Sequence, residues 1–316
     1  MRIDGRRRWS TLGLILILAT GSLSNSAYPS SEKKRAKEYR DINKIGHRVI
    51  GYQQGLGNWY SLDKEKEIGT QVSAAFEKST TVLHDSITQT YLEDLAQTIA
   101  RNSDSQLPIT IRVIDSEDSY ALTLLGGYQY LTRGLLLQLQ NEGELAAAMA
   151  RGIAHTALRS ATGEATRSSL MKMMTIPLIF TGQDGIAANR TNPGMAAPLT
   201  LLKFRRQDES AADYFGIQYL YKSGYDPECF IGFIQKAWPL SGITTAKAFS
   251  PFPPLPERLK ALEKEISEGL PKRSGAITST DEFAAFREHL LSSPLPSHRQ
   301  NNQLCLAPTH NNSIDC

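Results

Sequence analysis

Apolar residues recur at three- and four-residue spacing along most of this chain and alternate along only one short stretch. The helical spacing predicts helices over residues 61–79 and 86–103. In the second, Ile87, Tyr91, Leu92, Leu95, Ile99 and Ala100 fall on one face. Residues 107–116 alternate instead, with Ile109, Ile111 and Val113 on one side, which is the period of a strand. Gly126 and Gly127 break the chain, and residues 128–131 form a second predicted strand. An alanine- and leucine-rich helix is expected over 141–161. Residues 170–180 are very apolar, and 182–194 have the Gly, Asn and Pro content of a loop. Further helices are expected over 198–222, 227–238 and 255–267. The first of these is stopped by Gly224 and then Pro227. From residue 292 the chain is rich in Pro, Asn, Gln and Ser and reads as a mobile tail. No internal repeat is present, and the order predicts a helix-dominated α+β fold.

Composition narrows the picture. The chain has 316 residues, enough for one large domain or two small ones. A net charge of +3, from 35 basic against 32 acidic residues, offers no clustered basic face for nucleic acid. Arg2, Arg6, Arg7 and Arg8 precede a short apolar run over 11–19 and small residues over 21–27. That pattern predicts an export signal over 1–27 and a mature protein in the periplasm or cell envelope. An uncleaved anchor is the rival reading, although the run is shorter than the ~20 residues of a spanning helix. Residues 28–57 read as an extended lead-in, 58–270 as the main domain, and 271–316 as a C-terminal helix and tail. The cysteines are Cys229, Cys305 and Cys316. Cys305 and Cys316 can pair in an oxidising compartment, or all three can be free thiols; spacing leaves both open. The apolar run 170–180 fits a buried helix or a strap over the core better than a peripheral contact with a membrane or client.

The candidate chemistry lies inside the 141–161 helix, at Arg151-Gly152-Ile153-Ala154-His155. A helix carrying H-E-x-x-H there would bind zinc through two His on one face, with the Glu as general base. A third ligand would come from elsewhere. Here the first His position holds Arg151 and the base position holds Gly152. Downstream, Glu209 and Asp213 stand one helical turn apart. Taken alone, His155 reads as a hydrogen-bonded core residue sooner than as a ligand, and Glu209 and Asp213 as a solvated helical face.

Together these segments resemble metallopeptidase family 48. The run from Asn141 to His155 resembles N-E-x-E-L-A-x-x-x-A-H-E-I-x-H. Gly126-Gly127 through Gly134-Leu135 resembles the family's glycine-rich strand segment. Phe204 through Asp213, then Gly216 and Gly224-Tyr225-Asp226-Pro227, resembles F-S-R-x-x-E-x-x-A-D-x-x-G with a following G-Y-D-P. Pro253 through Leu259 resembles the H-P-x-x-x-x-R-I segment. The likeness covers about residues 58–266. It implies a zincin-like domain with a small sheet packed on the active-site helix. It also implies kinship with bacterial envelope proteases that police outer-membrane protein assembly, and with it protein or peptide clients.

The departures fall on the chemistry. Of the zinc ligands that the resemblance implies, His155 and Glu209 remain, with Asp213 behind them. Phe252 stands for the His of the H-P segment, and Leu125 for a Pro. Arginine stays protonated and has no lone pair for a metal. Its charge also opposes a dication, by ~8 kcal/mol at ~4 Å and an effective dielectric near 20. No side chain at 152 can take a proton, a contribution of roughly 10²–10⁴ in rate. A pseudopeptidase that binds envelope proteins, with zinc absent or weakly held, is therefore expected. The rivals are an active endopeptidase that recruits a substitute such as Glu142 or Glu144, and a structural module of a larger complex. A final expectation is that Arg151 pairs with both Glu209 and Asp213, a permanent cation where relatives hold a metal.

Overall fold

The computed structural model describes residues 35–179, 199–237 and 252–292, with side chains left out over 170–179 and 199–203. The described residues from Tyr39 onward belong to one compact unit, which carries the sheet and the helices below. The predicted signal, the loop over 182–194, Cys305, Cys316 and the tail beyond 292 lie outside the described residues, as do the side chains of the 170–180 run.

Helix α1 (Leu62–Ser79) starts where Ser61 accepts from the Lys64 backbone N–H, with Asp63 and Glu65 in the first turn. Helix α2 (Ser86–Arg101) is capped by Asp85 in the same way and buries Leu92, Leu95 and Ile99 of the predicted stripe together with Ala96, whereas Ile87, at the helix start, is exposed. The sheet follows: β1 (Thr110–Ile114), β2 (Ala121–Thr123) and β3 (Tyr128–Thr132). The order is β1-β3-β2, with β1 parallel and β2 antiparallel to β3, so β2 is an edge strand. Gly126 (φ 77) and Gly127 (φ 87) make the turn between β2 and β3 in a backbone region that favours glycine.

Helix α3 (Arg133–Gln138) leads into α4 (Glu142–Leu158), which runs through the core with almost every residue buried. Leu145, Met149 and Ile153 are fully enclosed. Helix α4 ends at Arg159 in a left-handed conformation, and α5 (Ser160–Ile179) begins at the next residue. Helices α6 (Leu199–Lys222), α7 (Glu228–Ala237), α8 (Leu255–Lys264) and α9 (Asp281–Ser292) complete the set. Helix α4 packs against α2, α6, α7 and β2, which places the Arg151 region where helices and sheet meet. The architecture is the helix-rich α+β fold with a small sheet that the pattern predicts. Among the described residues no helix is long and apolar enough to cross a membrane.

Two segments read from sequence as outlying are packed into the same unit. Residues 39–57, expected as an extended lead-in, contribute Ile45 and Ile50 to the core. Between them Arg48 is buried and donates to Asp104 (Nε, 3.0 Å), Gln218 (2.8 Å) and the Tyr39 carbonyl (2.7 Å). The polar appearance of the segment therefore hides a satisfied buried charge. At the other end, α9 buries Phe283, Phe286 and Leu290, and Phe286 stacks on Tyr91 of α2 at 4.5 Å. Cys229 is a buried free thiol that burial pushes up to about 11, which keeps it protonated at neutral pH.

Candidate functional site

Helices α4 and α6 build the site by approaching closely. On α6, Glu209, Asp213 and Gly216 share one face at four- and three-residue spacing. A Cβ on Gly216 would lie 3.1 Å from the Arg151 Cα and 2.9 Å from the Phe230 ring. Glycine thus lets α6 close on α4 at the level of Arg151, and Ala212 beside it is fully buried. The approach brings Glu209 and Asp213 to the α4 face that carries Arg151 and His155.

The Arg151 guanidinium lies between the two carboxylates. Its Nε donates to Asp213 Oδ1 at 2.9 Å and its Nη2 to Glu209 Oε2. Arg258, on α8, completes the cluster by donating to both oxygens of Asp213, at 2.7 and 2.8 Å. His155 Nε2 stands 3.7 Å from the Glu209 oxygen that Arg151 uses. Burial pushes the Glu209 carboxyl up, but Arg151, then His155 and Arg258, outweigh it and hold the group at about 2. Burial works against the Arg151 charge too, and Glu209 and Asp213 overcome it, so the guanidinium is held more firmly protonated than usual. The cluster is a neutral set of two guanidinia and two carboxylates.

On the sheet side of α4, Gly152 faces Gln129 of β3 and Thr123 of β2. A Cβ at 152 would meet the Gln129 Cδ and Oε1 and the Thr123 Oγ1, each at 2.8 Å. Gln129 is 2% exposed, so these atoms have little room to withdraw. The place beside Gly152 is filled from the sheet. In front lies a cleft of about 450 Å³, walled by residues 121–126 and floored by Arg151, Gly152 and His155. Glu209, Phe233 and Phe252 also line it.

Glu142 and Glu144 are committed elsewhere. Glu142 accepts from the hydroxyls of Tyr225 and Thr280. Glu144 accepts from the Gln140 backbone N–H at 2.8 Å and pairs with Lys236. Glu144 precedes Arg151 by seven residues, about 10 Å along the helix axis. Neither reaches the floor of the cleft. Of the residues that matter, sequence reading passed over the roles of Arg258, Gln129 and Thr123. Arg258 lay inside a quoted motif with no role assigned. The signal for Gln129 was an amide set between two tyrosines on a strand.

A sequence model described as peptidase family M48 matches residues 86–266. A beta-barrel assembly-enhancing protease of Vibrio cholerae is 30% identical over 185 residues, 54% of this chain and 37% of the relative. The beta-barrel assembly-enhancing protease of Escherichia coli K12 is 27% identical over 193 residues, 57% of this chain and 39% of the relative. Metalloprotease YcaL of the same strain is 25% identical over 187 residues, 56% of this chain and 70% of the relative. The matched region is thus under two-fifths of the length of the first two relatives.

Zinc, the metal of that family, does not fit the donors present. Of the zinc-ligand positions that the family motif implies, only His155 and Glu209 offer ligand atoms, and Glu209 is engaged by a guanidinium. The Arg151 charge lies against the same carboxylate that a metal would need. Among the described residues, no group of three His, Cys, Asp or Glu is gathered to hold a metal ion.

Proposed function

The chain belongs to peptidase family M48, and from that premise we propose that it is a non-catalytic member of the family, a pseudopeptidase that binds protein clients in the cell envelope. The observation that carries this reading is the Arg151 guanidinium between Glu209 and Asp213, at the helix position where the family motif has its first metal-binding His. Arg151 is one ligand fewer and one cation more, and Gly152 leaves no group to take a proton from water. His155, Glu209 and Asp213 are on this reading remnants of a metal site, kept in place by an arginine. Export is supported by the basic, apolar and small-residue pattern over residues 1–27. Envelope clients are supported by the resemblance to relatives named for beta-barrel assembly. That support is analogy, since fold alone does not carry function.

The test is metal content and cleavage together. Purified untagged protein is measured for bound zinc after mild dialysis, and for chelator-sensitive cleavage of unfolded casein. The expected result is substoichiometric zinc and no such cleavage. About one tightly held zinc per chain, lost in Glu209→Ala, would overturn the reading. So would chelator-sensitive cleavage by the unmodified protein.

A further inference from the structure

A guanidinium has five N–H donors, and the neighbouring carboxylates use only part of those on Arg151. Nε goes to Asp213 and Nη2 to Glu209. Nη1 donates to no acceptor among the described residues, and the side chain, 18% exposed, lines the cleft. Asp213 gives both its oxygens to Arg258, so the four-group cluster shows no net negative charge to an arriving anion.

The floor beside Arg151 carries a further donor. Gly152 projects no side chain. Behind it the buried Gln129 amide turns its Oε1 toward Gly152, and the Thr123 hydroxyl, on a residue that lines the cleft, is the donor on this side. The other charged groups around the cleft are already paired: Glu65 with Arg159, Glu164 with Arg205, Asp208 with Arg167. His155 faces Glu209. No carboxylate left without a cation stands at the floor among the described residues.

The walls define the rest of the ligand. Leu122, Leu124, Leu125, Phe233 and Phe252 make them apolar. Strand β2 runs along one side with its outer edge unpaired by any described strand, a surface suited to an extended backbone.

Building on the non-catalytic reading, we propose that the cleft is a receptor for a carboxylate on an extended polypeptide. Arg151 Nη1 is its principal donor, and Thr123 stands beside it. The carboxylate belongs to an apolar terminal residue whose side chain meets Leu125 and Phe252.

Three fluorescent hexapeptides of β-rich, apolar sequence test this against the full chain. One ends in a free carboxylate, one is the same peptide amidated, and one is amidated with Glu in the last position. Losing a charge-assisted hydrogen bond should weaken the amide about tenfold or more. Amide affinity equal to that of the acid overturns the carboxylate site, as does failure of any peptide to bind at millimolar concentration. If the Glu peptide matches the acid, a side-chain carboxylate is the source; if it matches the amide, the chain terminus is. Arg151→Lys keeps a charge but shortens the reach, and should erase most of the acid preference. Thr123→Val leaves the salt-bridge cluster intact and should reduce that preference. An unchanged preference in both variants overturns the assignment. Chelator-sensitive cleavage of any of the peptides instead overturns the non-catalytic reading, so the two failures are told apart.

Discussion

Arg151 reaches Asp213 by a single 2.9 Å bond from Nε, to an oxygen that Arg258 already holds at 2.8 Å. The two carboxylates of the cluster therefore depend on Arg151 unequally. Asp213 retains a bidentate arginine if Arg151 is removed. Glu209 retains, among the described residues, His155 at 3.7 Å and the more distant charge of Arg258.

This asymmetry sets the first prediction. Truncation by Arg151→Ala leaves Glu209 charged and poorly paired in a partly enclosed site, and should destabilise the fold by about 3 kcal/mol. Adding Glu209→Gln to Arg151→Ala should recover much of that loss, because the stranded charge is gone. Adding Asp213→Asn should recover little and harm the Arg258 contact. Denaturant unfolding of the three variants measures this. A loss under about 1 kcal/mol for Arg151→Ala, within the range of an exposed ion pair, would be incompatible with the argument.

The contact between Gly152 and the sheet gives a prediction whose sign depends on a neighbour. Glycine within a helix costs roughly 1 kcal/mol relative to alanine, so Gly152→Ala should stabilise α4 if the methyl has room. The 2.8 Å approaches of Gln129 and Thr123 deny it that room. Gly152→Ala is expected to lower the melting temperature of the native protein and to lower it less in a Gln129→Ala background, where the Thr123 contact remains. The coupling should be about 1 kcal/mol or more, as for residues in direct contact. Additive effects in the two backgrounds would show that the sheet does not hold this position closed. The same contact bears on attempts to restore catalysis. Arg151→His with Gly152→Glu places a long side chain against Gln129, so repair needs a smaller residue at 129 as well.

The elements that position the site were readable because each depends on a local pattern. The α2 stripe from Leu92 to Ile99, the glycine turn at Gly126-Gly127 and the Ala/Leu run of α4 are periodic or steric signals. The four-residue spacings of Arg151 and His155, and of Glu209 and Asp213, put each pair on one face from sequence alone. What escaped depends on long-range pairing. Arg48 reads as a solvated charge until Asp104, 56 residues on, is brought to it. Gln129 reads as a strand residue free to face solvent until Gly152 is found against its amide. The roles of Glu142 and Glu144 were open for the same reason, since Tyr225, Thr280 and Lys236 lie 83 to 138 residues away in sequence.

The last prediction concerns acid stability away from the cleft, where α9 meets α2. His289 Nε2 lies 2.8 Å from Asp85 Oδ2, and the same oxygen caps α2 by accepting from the Thr88 backbone N–H at 3.2 Å. Burial pushes the Asp85 carboxyl up, but the hydrogen bonds from Thr88 and His289 more than offset it and hold the group below its usual value. A carboxyl depressed in the folded state contributes stability that is fully present above its unfolded value of about 3.9. That contribution is lost as pH falls through the folded value, because the folded chain must then take up a proton against these bonds. Asp85→Asn isolates the charge, since asparagine still caps a helix. Between pH 5 and pH 3 the native protein should lose more stability in urea unfolding than Asp85→Asn does, with the two curves converging at the acid end. His289→Gln should remove part of the same slope. Parallel pH profiles for native and Asp85→Asn proteins would mean that this contact does not tie α9 to α2 through charge.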